Sequence, residues 1–145
     1  MEKVLLIEAK TVGGVAPIKV LDFDTKEDKL GFFYEHVDCE TIDIVSAYGI
    51  KDSQVLKGVS LVVDDEGLFK EEVTVNPIGS LLYGLLDHGQ PLVGNVLVCK
   101  DIYTDDGIES GGFTDEEILE LQLVINKLVA ENNKRAEESR AKKAE

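Results

Sequence analysis

The chain has no tryptophan, one methionine, three prolines, two histidines and two cysteines in 145 residues. Cys39 and Cys99 lie far apart and match no zinc-ligand spacing, so they read as buried free thiols, as suits a reducing cytosol. A single domain of this length buries enough surface to fold without a disulfide or a metal. His36 stands near Asp38 and Cys39, but a metal needs three or four convergent ligands. His36 and His88 both fall at expected helix ends, where a partly positive ring suits the helix dipole.

Long hydrophobic runs are also missing. The opening MEKVLLIEAK has an apolar run of only four residues before Glu8, too short for a signal peptide. The least charged stretch, Val75–Val98, is broken by Asn76, Pro77, Asp87, His88, Gly89, Gln90, Pro91 and Asn95, so it is no membrane span. The expectation is a soluble cytoplasmic protein without membrane contact.

Positive charge is scarce. Fifteen Lys and Arg face 29 Asp and Glu, for a net charge of −14. The last fifteen residues hold five Lys or Arg and four Glu, a net of +1, which leaves −15 on residues 1–130. Such a body repels phosphate backbones, so no direct nucleic-acid binding is expected.

The usual marks of catalysis are missing too. Neither GxGxxG, GxxxxGK[ST] nor GxSxG occurs. The acidic turns ending at Gly67 and Gly107 fail the calcium-loop spacing, with Val62 and Ile102 where the first Asp belongs. Asp64-Asp65 and Asp105-Asp106 are adjacent, so in extended chain their side chains diverge and form no acid/base pair. No catalytic residue, metal or cofactor is expected.

What is present is periodicity. Val4–Ile7 and Ile18–Phe23 read as strands flanking the Gly13-Gly14 and Pro17 turn, as in a hairpin. Thr25 precedes a helix with Leu30, Phe33, Tyr34 and Val37 at i, i+3, i+4, i+7, and Phe32 off that stripe. Cys39–Val45 and Val59–Val63 read as strands, with Leu68-Phe69 continuing as a short returning strand or loop. Asn76-Pro77 starts a helix carrying Ile78, Leu81, Leu82, Leu85 and Leu86, which stops by His88-Gly89. Leu92–Val98 reads as a central strand, mostly apolar on both faces, and Asp101–Gly112 as a loop. Thr114 and Glu117 form a capping box for a last helix with Ile118, Leu121, Val124, Ile125 and Leu128 as its stripe.

The expected fold is α+β: a mixed or mainly antiparallel sheet with helices on one face. The order admits a ferredoxin-like βαββαβ arrangement with an added C-terminal helix. Residues 1–112 form the core domain, and residues 113–145 an amphipathic helix with a charged, partly disordered tail. Leu119 and Leu123 lie off the main stripe of that helix, which admits a homodimer through it.

Asn76, Tyr83, Gln90 and Asn95 are uncharged hydrogen-bonding groups in an apolar block, the make-up of a small-ligand site. Asn76 also suits a helix cap, Gln90 with Pro91 a turn, and Asn95 a bond to neighbouring backbone.

The segments NPIGSLLYG and GQPLVGNVLVCK, with KVLLIE, ETIDIV and LVVDDEGLFKE before them, resemble those of a family of small proteins of unknown function. Its members are carried by phages and mobile elements of Gram-positive bacteria. The likeness spans roughly residues 3–100 and implies an accessory protein in the cytoplasm of a bacterial host cell. The expected function is non-enzymatic: an acidic protein that binds and inhibits a host protein. The alternatives are a small-molecule or nucleotide-sequestering protein, in which Lys57, Lys70 or Lys100 would line the pocket, and a nucleic-acid mimic.

Overall fold

A computed structural model of the chain describes residues 2–9, 17–24, 28–50, 56, 58–70, 73–84 and 90–144. Strands β1 (Glu2–Ile7) and β2 (Ile18–Phe23) pair antiparallel, Glu2 opposite Phe23 and Ile7 opposite Ile18. Then come α1 (Lys29–Val37), β3 (Ile42–Ser46) and β4 (Val59–Asp64). A 3-10 turn (Gly67–Phe69) and α2 (Pro77–Tyr83) lead to β5 (Val96–Thr104), β6 (Gly107–Gly111) and α3 (Asp115–Ala144). The sheet order is β2-β1-β5-β4-β3, with β6 added to β5, and every strand pair is antiparallel. The fold is α+β with a C-terminal helix.

Helices cover both faces of the sheet, where the sequence reading put them on one. Leu5, Ile7, Leu61, Val63, Val96 and Val98 pack against α2 and α3. Their strand neighbours Val4, Leu6, Val62, Leu97 and Cys99 pack with Phe33 and Val37 of α1. Successive strand residues point to opposite faces, so an unbroken apolar run means two buried faces. The strand order is not ferredoxin-like either. In that order the first strand lies between the fourth and the third. Here β5 takes the place, between β1 and β4. β4 and β5 are direct antiparallel neighbours, so the segment carrying the seven-residue α2 need not cross over another strand.

Local signals explain other shifts. Asp28, not Thr25, caps α1 by accepting from the Gly31 amide at 3.1 Å, and Thr25 lies outside the described residues. On α1, Leu30 and Tyr34 are exposed. Phe32, off the expected stripe, instead packs edge-on against Phe23, with ring centroids 5.2 Å apart. Helix α2 ends at Gly84, whose φ of 91° closes it with a left-handed cap four residues before the expected stop. The turn expected at His88-Gly89 lies outside the described residues. Leu92–Val93 does not join β5. It pairs with the Val75–Asn76 segment through a Val75–Val93 bridge and a 2.8 Å bond from the Asn76 amide to the Leu92 carbonyl. The expected loop 101–112 is instead a hairpin, with Thr104 opposite Gly107 across the Asp105-Asp106 turn.

The capping box of α3 forms as expected. Thr114 Oγ1 accepts from the Glu117 amide at 3.2 Å, and Glu117 Oε1 accepts from the Thr114 amide at 3.0 Å. Lys100 adds an ion pair to Glu117 at 2.8 Å. Burial pushes the Glu117 carboxyl up. The bonds from Lys100 and from the Thr114 backbone, with the Lys100 charge, outweigh it, and the net shift is downward. A depressed carboxyl stabilises the fold above its unfolded value of 4.5 and loses that effect as pH falls through its folded value. Glu117→Gln should therefore lower stability by about 1–2 kcal/mol at neutral pH. Its urea midpoint should converge on that of the wild type as pH falls from 4.5 through the lower folded value of Glu117.

Candidate protein-docking site

At the end of β4 the backbone turns on a carboxylate. Asp64 is nearly buried, its side chain 5% exposed. One of its oxygens accepts from the Glu66 amide at 3.0 Å, and the other meets Lys70 Nζ at 2.6 Å. The Lys70 ammonium also donates to the Asp38 carbonyl, at 3.3 Å, just past the end of α1. Its hydrogen bond to Asp64 holds it above the ordinary lysine range. The Asp65 amide donates to Thr41 at 3.2 Å, and the Phe69 amide closes the 3-10 turn on the Glu66 carbonyl at 3.0 Å. Gly67 is buried so tightly that a Cβ there would lie 2.5 Å from a Val93 methyl. The turn is thus fastened to α1, to the start of β3 and to the segment before β5.

The tip of this fastened turn is apolar and faces water. Phe69 is 88% exposed, the highest figure among the exposed large apolar side chains described, and Leu68, Val73 and Val75 nearby are about half exposed. Asp65 and Glu66 precede the tip in exposed positions, and Glu71 and Glu72 follow it in sequence. A Phe ring held in solvent on a rigid base loses contact with water, at a gain of about 1.5–3 kcal/mol, only when a partner covers it. A cleft of about 260 Å³ opens beside the turn, bordered by Ala9, Val37, Lys70, Thr74, Val93 and Asn95.

Of the four candidate ligand residues, Asn95 is the one in the lining of this cleft. Asn76 is fully buried and fully engaged. Its carbonyl oxygen accepts from the Gly79 amide, and its NH2 group donates to the Ile7 and Gly94 carbonyls, each at 2.9 Å. Asn95 borders the cleft, but its oxygen accepts from the Ala9 amide at 3.1 Å and its nitrogen donates to the His36 carbonyl at 3.2 Å. Tyr83 is half-buried on α2, its ring 6.0 Å from that of Tyr48, and Gln90 is exposed. Of the lysines that would neutralise an anion, Lys70 is engaged by Asp64 and Lys100 by Glu117, and Lys57 lies outside the described residues. Phe69 is not among the four candidates that the sequence offers. The signals for it are an aromatic residue two positions after the Asp-Asp-Glu-Gly turn and carboxylates on both sides.

A second cleft, of about 320 Å³, includes Ser46, Tyr48, Asp101 and Tyr103 in its lining, and Ser60 donates to the Asp101 carboxylate beside it. Cys99 lies on the same face of β5 but is fully buried, and burial, then the Asp101 charge, push its thiol up to about 12. Burial also raises the Cys39 thiol, with the Asp64 charge adding to it. Neither thiol is poised as a nucleophile at neutral pH. Cys99 should resist alkylation by iodoacetamide in the folded protein and react fully in denaturant, as mass spectrometry of the labelled peptides would read. Among the described residues, no group of three or more His, Cys, Asp or Glu could hold a metal ion, and no helix is long and apolar enough to cross a membrane.

No family model, no curated protein and no solved structure matches this chain.

Proposed function

We propose that the protein is a non-enzymatic binding protein that docks on another protein through the Leu68–Phe69 turn. The observation that supports this most is a phenylalanine held out in solvent on a turn fastened at three places. Aromatic anchors of this kind dominate binding energy because a large ring is buried at little cost in flexibility. The surface that fits it is an apolar pocket with Lys or Arg on its rim, facing Asp65 and Glu66. The likeness to phage and mobile-element proteins makes the partner a protein of the bacterial host, and covering the partner's pocket would inhibit it. The engaged amides of Asn76 and Asn95 and the paired lysines Lys70 and Lys100 weigh against the nucleotide-sequestering alternative. The nucleic-acid mimic would use the carboxylates without Phe69.

Replacing Phe69 in the full chain with a photoreactive phenylalanine analogue, in bacterial cells, tests the proposal. A discrete adduct whose cross-linked peptide lies in an apolar, basic-rimmed pocket is the expected result. Adducts no different from those formed with the probe at Val20, on the β2 edge, would overturn it.

A further inference from the structure

Helix α3 runs on past the core it rests on. Its 30 residues span about 45 Å at 1.5 Å per residue. Ile118, Leu121 and Ile125 are buried against the sheet and α2, and Val124, Leu128 and Val129 are half-buried. From Ala130 to Lys143 every residue is exposed except the half-buried Asn132 and Ala136, so about 20 Å of helix runs on past the core. On the side away from the body, Leu119 and Leu123 are 63% and 64% exposed. At 100° per residue they share one stripe with Asn126, Ala130, Asn133, Glu137 and Ala141, in steps of four and three that alternate as far as Glu137, as in a helix-pairing seam.

Charge is divided along the same helix. Residues 115–120 carry Asp115, Glu116, Glu117 and Glu120 and no cation. Lys3 pairs with Asp115 and Lys100 with Glu117, which leaves Glu116 and Glu120 on the outer side. Residues 134–143 carry Lys134, Arg135, Arg140, Lys142 and Lys143 against Glu137 and Glu138. An antiparallel neighbour brings the basic half over the acidic half and opposes the two helix dipoles, whereas a parallel one stacks like on like.

We propose that α3 pairs antiparallel with α3 of a second copy, so that the projecting half of each helix covers Leu119 and Leu123 of the other. With Ala130 facing its own copy, Leu119 comes level with Ala141. Lys142 then reaches the flank bearing Glu116 and Glu120, and Lys127 comes near Glu131. The contact is self-complementary, as a two-fold interface requires. It uses surface remote in sequence from Phe69 and stands independently of the docking proposal.

Sedimentation equilibrium of the full chain over a dilution series tests this. The wild type should have the mass of two chains, and Leu119→Glu with Leu123→Glu should have the mass of one while still unfolding cooperatively. Glu116→Lys with Glu120→Lys should weaken association by about tenfold or more, and adding Lys142→Glu should restore part of it. A one-chain mass for the wild type throughout the series would overturn the proposal, as would a two-chain mass indifferent to the leucine changes. Failure of Lys142→Glu to restore association would overturn the antiparallel orientation.

Discussion

Phe69→Ala is expected to leave folding untouched and to remove most of the affinity for a partner protein. The ring is 88% exposed, so truncating it empties no cavity, and a surface change of this kind stays within about 0.5 kcal/mol in stability. The base of the turn does not depend on the ring. Asp64, Lys70, the Glu66 carbonyl and the packing of Gly67 on Val93 hold it through backbone, charge and close contact. A central aromatic anchor removed from a desolvated pocket costs about 2–4 kcal/mol, or roughly 30- to 1000-fold in affinity. Calorimetry against the protein captured by the cross-linker, with urea unfolding alongside, separates the two quantities. Equal affinity for wild type and Phe69→Ala would show that the ring is ordinary surface. Phe69→Asp should be worse still, because a carboxylate would have to enter an apolar pocket without a partner.

The second large effect falls on stability. Asn76→Ala should cost about 3–5 kcal/mol, because one side chain joins three parts of the fold. Its oxygen caps α2 through the Gly79 amide, and its nitrogen satisfies the Ile7 carbonyl at the end of β1 and the Gly94 carbonyl ahead of β5. The alanine variant loses the cap, for about 1 kcal/mol, and leaves two carbonyls without a donor in a buried site, at roughly 1–3 kcal/mol each before relaxation. The thermal midpoint should fall by about 10–20 °C. Asn76→Asp keeps the cap acceptor but turns the two donors into a buried negative charge facing two carbonyl oxygens, so it should rescue nothing. The same measurement decides the role of Asn76. A residue present for a ligand would leave the midpoint of the unliganded protein in place when truncated.

Much of this fold is legible in the chain. Asn76-Pro77 announces a capped helix, and the structure shows Asn as cap and Pro in the first turn. Thr114 and Glu117 announce a capping box and form it at 3.0 and 3.2 Å. These succeed because a cap is satisfied within four residues, with no help from distant chain. The misreadings come where a local signal competes with a distant partner. Leu92 and Val93 have the composition of a strand, yet the Leu92 carbonyl accepts from the Asn76 amide, the Leu92 amide donates to Ser80 Oγ, Val93 bridges to Val75, and β5 begins only at Val96. Ile102, Tyr103 and Ile108 supply too little apolar alternation to betray a hairpin whose tip, residues 103–109, is exposed. Asn76 and Asn95 looked like ligand groups because the carbonyls and amides that engage them lie up to 86 residues away.

By itself the sequence determined the local pieces: the capped helices, the apolar strands, and the acidic body with a mixed-charge helical end. These follow from spacing, propensity and charge, which act over a few residues. Only the tertiary structure decided that β5 separates β1 from β4, that helices lie on both faces of the sheet, and that α3 outruns the core. It alone decided that Asn76 is consumed by the fold while Phe69 faces the solvent. A side chain is buried or displayed according to what distant segments place against it, and no short-range signal carries that information.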